Sequence, residues 1–170
     1  MSAPFPARRR DWRTPLTAYS VVLFLHSWTR WFVVAAAAVA LVTLVRGLVS
    51  GRAWGPSDAG AMRLFLNAFY TQVLLGLVLY FALSPLGFPR QIELSVVMKS
   101  GVLRYFAIEH PSGMVIALVA AHAGWALAKR ARDDLRLRRA VWAVAVPFII
   151  ILVTFPWPWM PYGRSLFRLP

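Results

Sequence analysis

The chain has 170 residues, of which 59% are hydrophobic and only 15% are charged, and its mean hydropathy is +0.61. Soluble domains carry about 25% charged residues, so this composition excludes an ordinary soluble fold and is typical of a membrane protein. The formal net charge of +13 does not indicate nucleic-acid binding, because the basic residues flank apolar stretches, where they contact lipid headgroups. The absence of cysteine excludes disulfides, thiolate metal sites and covalently attached c-type haem.

Four apolar stretches, each suited to the roughly 20 residues of a membrane-spanning helix, predict an all-α protein. The expected fold class is a four-transmembrane-helix bundle that forms a single membrane domain over residues 1–170. We expect its helices at about residues 16–45, 59–83, 105–128 and 140–155. Four crossings leave no room for a separate soluble domain.

The segments outside these helices are polar, basic or aromatic. A short basic, proline-containing segment precedes the first helix, which is too long for the apolar region of a signal peptide and is expected to stay uncleaved. Residues 90–104 form a mixed connector that suits a short interfacial helix, and residues 129–139 form the most charged loop. The C-terminal tail, PWPWMPYGRSLFRLP, fits the aromatic belt of a membrane–water boundary.

An even number of crossings places both termini on the same side of the membrane. Basic residues are equally abundant on the two predicted sides. The positive-inside rule therefore leaves the orientation open.

Five ionisable side chains lie within or at the ends of the predicted helices, where a charge is expensive and usually serves a function. They are His26, Arg30, Glu109, His110 and His122. His26 and Arg30 are four residues apart and share one face of the first helix. Because Glu109 is the one acidic residue in a predicted span, we expect it to form a buried ion pair with Arg30. This pair would hold the first helix against the third, either as a structural clasp alone or beside a functional site.

Histidines on two facing helices are the usual ligands of b-type haem in a helical bundle. His26 and His110 are the predicted axial ligands, and Arg30 or Arg104 would neutralise the propionates. His122 lies about 18 Å from His110 along the helix, so we expect it to be a structural hydrogen bonder, or an alternative iron ligand if the helix boundaries are shifted. Small residues after His110 suit a haem plane, but they equally suit close helix packing.

Other chemistries are disfavoured by the same pattern. The three histidines cannot converge at these depths, which argues against catalytic zinc. No phosphate-binding glycine loop and no Ser–His–Asp constellation stands out in the sequence. A proton relay entering at Glu109 and His110 is a minor alternative, because four helices make a small transporter.

Several motifs in the chain resemble a known family. They are HSWTRW at residues 26–31, EHPSGM at 109–114, GLVLYF at 76–81 and the aromatic tail. Together they resemble a family of small four-helix bacterial membrane proteins that is often labelled cytochrome b-like. The resemblance implies a multi-pass protein of the bacterial inner membrane.

The resemblance also implies site residues. It makes His26 and His110 the shared histidines, with Arg30 and Glu109 beside them. Relatives often carry a further histidine shortly before the glutamine of helix 2, whereas a Tyr-Thr pair precedes Gln72 here. This departure argues against a haem site that involves helix 2.

Two functions are compatible with these observations. The first is a b-type haem protein of membrane electron transfer that exchanges electrons with quinone or with a partner redox complex. The second is a haem-free accessory subunit of a larger respiratory or photosynthetic membrane complex, packed through its aromatic surfaces. Either function makes the chain an electron carrier or a complex subunit rather than a stand-alone enzyme, with the lipid bilayer as a further partner.

Overall fold

Helices account for all the regular secondary structure in residues 17–88 and 92–167, the parts of the chain that the computed structural model describes. The elements are α1 (Ala18–Val49), α2 (Pro56–Val78), a first π-helical turn (Leu79–Leu83), α3 (Leu94–Lys99), α4 (Gly101–Arg104), a second π-helical turn (Tyr105–Glu109), α5 (His110–Lys129) and α6 (Asp133–Val153). The all-α prediction is confirmed within these ranges. The basic N-terminal segment lies outside the described residues.

The longest helix, α1, begins at a capping box and ends beside a glycine. The Thr17 backbone N–H donates to Ser20 Oγ at 3.0 Å, and the Ser20 backbone N–H donates to Thr17 Oγ1 at 3.1 Å. These bonds satisfy amide groups that the start of a helix leaves unpaired. Gly51, whose φ of +65° only glycine adopts readily, turns the chain out of the helix. The helix runs to Val49 rather than to the expected Val45.

A buried carboxylate fastens the corner between α1 and α2. Arg52 donates two hydrogen bonds to Asp58, at 2.6 and 2.7 Å, and the Gly55 backbone N–H donates a third at 2.9 Å. Asp58 is completely buried in the first turn of α2, where the helix dipole also favours negative charge. Hydrogen bonding to Asp58 raises the pKa of the Arg52 guanidinium, which keeps it charged. The guanidinium also covers Gly47 of α1, where a Cβ would approach it to 2.8 Å.

A proline shapes the start of α5. Pro111 has no N–H, so the Ala107 carbonyl does not receive the α-helical hydrogen bond that another residue would supply. The chain forms the second π-helical turn at this point, and the Tyr80 hydroxyl donates to the Ala107 carbonyl at 2.9 Å. This hydrogen bond joins the end of the α2 segment to the beginning of α5.

The helix α1 is central to the bundle. It packs against α2 and α6, and α6 packs along α5, whereas α2 and α5 make few contacts with each other. Small residues permit the closest approach, since a Cβ on Gly124 of α5 would meet the Ala143 Cα of α6 at 2.9 Å. The large buried side chains of the core include Leu44, Met62, Phe65, Phe69 and Val144. The helices therefore follow the order α2–α1–α6–α5, and a cleft separates α2 from α5.

Three helical segments of the described chain are long and apolar enough to cross a membrane: Ala18–Val49, Pro56–Leu83 and Gly101–Lys129. The remaining long helix, α6, starts inside the charged loop rather than at residue 140 as expected. Its apolar part, residues 140–153, covers roughly 20 Å at 1.5 Å per residue, whereas the hydrocarbon core of a bilayer is about 30 Å thick. Length and composition thus support three crossings.

Replacing Asp58 with alanine should destabilise the corner between α1 and α2. The change removes the acceptor of the Gly55 hydrogen bond, which is part-buried, and leaving this donor unpaired should cost about 1 kcal/mol, the lower end of the range for buried donors. We expect a lower midpoint of thermal unfolding in detergent, measured by circular dichroism. Asp134→Ala is the control, because the contact of Asp134 with Arg132 is exposed and 3.7 Å long and should contribute little. Equal shifts in both variants would contradict this role of Asp58.

Candidate functional site

A cavity of about 920 Å³ lies at the cleft between α2 and α5, with α1 behind it and the C-terminal tail at one end. Its volume falls within the range of pockets that hold cofactor-sized ligands. Most of the lining is apolar, and both π-helical turns border it; such turns often occur at functional sites. The polar lining side chains include His26, Arg30, Gln72, His110 and Arg164.

Gln72 of α2 holds the imidazole of His26. The Gln72 side-chain amide donates to the His26 backbone carbonyl at 3.0 Å, and its nitrogen lies 3.3 Å from His26 Nε2. The Thr29 hydroxyl donates a short hydrogen bond to the Gln72 amide oxygen, which fixes the orientation of the amide. We therefore assign His26 Nε2 as an acceptor and Nδ1 as the protonated nitrogen.

The opposite edge of the His26 ring is buried against the backbone of α2. A Cβ on Gly76 would come within 3.1 Å of His26 Cε1, so glycine allows this close approach. Nδ1 has no hydrogen-bond partner among the described residues. His26 thus acts as a clasp between α1 and α2, with one unsatisfied donor.

His110, at the start of α5, is anchored to the end of α6. Its Nδ1 lies 3.0 Å from the Thr154 backbone carbonyl and must be the donor, which leaves Nε2 unprotonated. The Tyr105 hydroxyl donates to the same carbonyl at 2.6 Å. Gly113 makes this approach possible, because a Cβ there would overlap the Thr154 side chain. His110 Nε2 forms no hydrogen bond within residues 17–88 and 92–167 and keeps its lone pair for a ligand.

The two predicted histidines are brought together. His26 and His110 come from different helices and line the same cavity. Their hydrogen bonds differ, however. The Nε2 lone pair of His110 is available, whereas that of His26 is engaged by Gln72.

Arg30 is satisfied by the main chain of the C-terminal tail. One terminal nitrogen of its guanidinium donates to the Ser165 carbonyl at 2.8 Å and to the Leu166 carbonyl, and the guanidinium lies over the Phe155 ring at 4.8 Å. The Trp31 indole N–H also donates to the Leu166 carbonyl, at 2.9 Å. Arg30 Nε has no acceptor within the described chain. These contacts tie the tail to α1 and close one end of the cavity.

The expected ion pair between Arg30 and Glu109 does not form. Glu109 Oε1 instead lies 2.6 Å from Arg104 Nε, and both side chains are about two-fifths exposed. The reason is the second π-helical turn, in which residues five apart, such as Arg104 and Glu109, come to lie above one another. Arg104 also donates to the Met98 carbonyl and does not line the cavity. The cavity geometry therefore lends no support to the role at the haem propionates expected for Arg104.

His122 lies outside the cavity, on the exposed face of α5. Its Nδ1 is 3.1 Å from the hydroxyl of Tyr70 on α2. Tyr70 is itself exposed and stands where the resemblance leads one to expect a histidine nearby. His122 is thus a hydrogen bonder between two helices in this structure, one of the two roles considered for it.

Several residues that build the site do not stand out in the sequence. Gln72 carries a detectable signal, because a buried amide in an apolar span needs partners. Tyr105 and Thr154 carry none, since their contact joins segments far apart in the chain. The tail, for which the sequence predicts an aromatic belt, also supplies backbone carbonyls as the acceptors of Arg30.

Comparison of this chain with protein-family models, with curated proteins and with solved structures finds no match. The fold and the site therefore rest on the geometry described above. The resemblance to cytochrome b-like proteins stays an expectation from the motifs.

A double-mutant cycle should separate Arg30 from Glu109. Since the two side chains have different partners, the stability losses of Arg30→Leu and Glu109→Leu should add to within about 0.3–0.5 kcal/mol, measured by thermal unfolding in detergent. The Arg104→Leu and Glu109→Leu cycle is the positive control, with a coupling of up to about 1 kcal/mol that salt weakens. A coupling of about 3 kcal/mol or more between Arg30 and Glu109 would contradict this prediction and indicate that the two side chains form the expected buried ion pair.

Proposed function

We propose that this chain is an integral membrane electron-transfer protein that binds b-type haem in the cavity lined by His26 and His110. It would exchange electrons with quinone or with a partner redox complex. The observation that carries the proposal is that two helices contribute one histidine each to a single, mostly apolar cavity of suitable size. The cytochrome b-like motifs include both histidines.

His110 has the environment of an axial ligand. A metal-binding histidine typically donates its second ring N–H to a carbonyl or carboxylate, which fixes the tautomer and raises the basicity of the ligating nitrogen. The Thr154 carbonyl fills this role for His110, and the Tyr105 hydroxyl shares the same acceptor. His110 Nε2 is therefore ready to bind iron without rearrangement.

His26 fits as the second ligand only after one local change. Its Nε2 lone pair is engaged by Gln72 at 3.3 Å, which is at the long end for a hydrogen bond. To free the lone pair, the Gln72 amide would have to give up this contact and the hydrogen bond from Thr29 that fixes its orientation. In this proposal Gln72 positions the imidazole of His26, which would then help to hold the haem.

The arginines at the cavity suit the carboxylates of haem. Arg30 and Arg164 both line the cavity, and Arg30 has an unsatisfied Nε donor. They replace Arg104 as the proposed propionate partners. Bound haem would supply one-electron chemistry, while the residues of the chain would hold it, exclude water and stabilise its charge.

We further propose that α6 is the fourth crossing of the membrane. Its apolar part is short, but α6 packs along α5. The residue that follows α6, Thr154, contacts His110 at the start of α5. Thinning of the bilayer and snorkelling of the arginines at its start would accommodate the short span. A bacterial inner membrane location rests on the motif resemblance.

The polar pair of Tyr70 and His122 favours the second candidate, an accessory subunit of a larger complex. Polar side chains within spans seldom face lipid, yet both residues are exposed on the chain surface. A partner helix could cover them and use hydrogen bonds across the interface. This assembly is compatible with haem binding and becomes the sole function if no haem is bound.

A visible spectrum tests the haem proposal. Protein purified from cells with ample haem should show the α and Soret bands of b-type haem in the dithionite-reduced minus oxidised spectrum. We expect His110→Ala and His26→Ala to lose these bands, because each removes an axial ligand. His122→Ala is the matched control and should retain them. Absence of the bands from the unmodified protein would rule out the haem function and leave the accessory-subunit candidate.

Cysteine labelling tests the fourth crossing, and the chain offers a background free of native cysteine. Single variants Ser57→Cys, Ser95→Cys and Ser165→Cys would be probed in inverted and right-side-out vesicles with an impermeant maleimide. Four crossings place Ser95 and Ser165 on one side and Ser57 on the other. Labelling of Ser165 from the same side as Ser57 would show that α6 does not cross.

A further inference from the structure

The cavity carries positive charge without a compensating carboxylate. None of its lining residues in the described chain is acidic. Arg30 is surrounded by carbonyl dipoles and aromatic rings, and Arg164 lies over the Phe106 ring at 4.7 Å. Glu109, which is adjacent in sequence to the cavity residues Ile108 and His110, is engaged by Arg104, and Glu93, the next described carboxylate along the chain from the cavity, is exposed on the connector.

An uncompensated guanidinium in a low-dielectric site favours an anion. Carbonyl dipoles reduce the energetic cost of burying Arg30, but they do not neutralise its charge. Its Nε donor, moreover, has no acceptor among the described residues. A carboxylate would supply both the missing charge and the missing acceptor.

The cavity opens sideways, between two helices that cross the membrane. The lining residues Leu77 of α2 and Val115 and Ile116 of α5 are also exposed on the outer surface, at 41%, 51% and 59%. Ile116 lies close to the middle of the Gly101–Lys129 span, so this rim faces lipid rather than water. At this opening α2 and α5 make only sparse contact with each other.

We propose that the α2–α5 cleft admits an amphiphile with a carboxylate end directly from the lipid phase. The apolar body enters past Leu77, Val115 and Ile116, and the carboxylate is held by Arg30 and Arg164. The shared chemistry is that of a membrane-dissolved carboxylate, which a fatty acid or a porphyrin with propionate groups supplies. The inference deepens the proposed haem function by naming the entry route and the anchoring group, but it does not require iron.

Ligand-binding measurements on the full chain in detergent distinguish a fatty acid from a porphyrin as the source of the carboxylate. The probes are radiolabelled palmitate, its neutral methyl ester and haem. We expect saturable palmitate binding, with the ester at least about tenfold weaker because it lacks the charge, and displacement of palmitate by haem. Equal binding of palmitate and ester would overturn the carboxylate assignment. Haem binding that palmitate does not affect would overturn it too, while the haem function would survive.

Matched arginine variants localise the anion. Arg30→Gln and Arg164→Gln should each weaken palmitate binding by about tenfold, and Arg104→Gln, outside the cavity, should not. Arg164 is exposed on the tail, so its variant keeps the test decisive if Arg30→Gln does not fold. Palmitate bound by this site together with a haem-free spectrum would support the inference and refute the proposed function. Unchanged affinity in Arg164→Gln would overturn the inference, whether or not Arg30→Gln folds.

The entry route has its own test in protein reconstituted into vesicles. Ile116→Cys modified with a bulky maleimide should slow palmitate association by about tenfold or more. Val119→Cys with the same label is the control, because Val119 lies on the exposed face of α5 outside the cavity. Equal association rates for the two labelled proteins would exclude a lateral entrance at this cleft.

Discussion

The guanidinium of Arg30, placed in the middle of an otherwise apolar helix, has to find acceptors inside the protein. It finds them in the backbone carbonyls of Ser165 and Leu166, which are free because the tail is not helical there. Phe155 and Trp31 add aromatic surfaces to the same cluster. The tail is consequently folded back against α1, and this closes the cavity at one end.

Hydrogen bonds to carbonyl groups satisfy the donors of Arg30, but they do not neutralise its charge as a carboxylate would. An Arg–Glu pair at this position would be complete in itself and would remove the charge of Arg30 from the cavity. Carbonyl oxygens carry only partial charge, so the site keeps its attraction for an anion. The need of Arg30 for acceptors therefore has two effects: it folds the tail against α1, and it leaves the cavity positively charged.

The histidines organise the other walls of the cavity. His26 is fastened to α2 through Gln72, and His110 is fastened to α6 through Thr154. Neither bond joins α2 to α5, which are linked by the contact of Tyr70 with His122 and, through the two π-helical turns, by the hydrogen bond from Tyr80 to Ala107. The two helices beside the opening, α2 and α5, are thus held in place mainly by α1 and α6. The opening between them therefore does not disrupt the packing of the bundle. Preorganisation of this kind lowers the cost of binding a ligand.

Much of the architecture could be predicted from local sequence. Apolar runs between charged clusters identify α1, α2 and the α4–α5 segment as long and apolar enough to cross a membrane, because the bilayer imposes length and hydrophobicity on any crossing. The isolated His26, Arg30 and His110 could be selected as site residues, because polar groups in apolar spans need a reason to be there. The partner of Arg30 could not be deduced, since charge alone pointed to Glu109.

What the sequence by itself determined is the set of helices and the polar residues that they carry. The tertiary structure alone decided which partners those residues have. A π-helical turn aligns Glu109 with Arg104, and the tail offers Arg30 main-chain carbonyls, which every residue possesses and which therefore leave no mark in the sequence. Glycines at positions 76 and 113 let His26 and Thr154 approach neighbouring helices, and only the packed bundle shows what each glycine faces. Hydrophobicity is a local property that can be read along the chain, whereas a hydrogen-bond partner is decided by which segments the packed bundle brings within about 3 Å of each other.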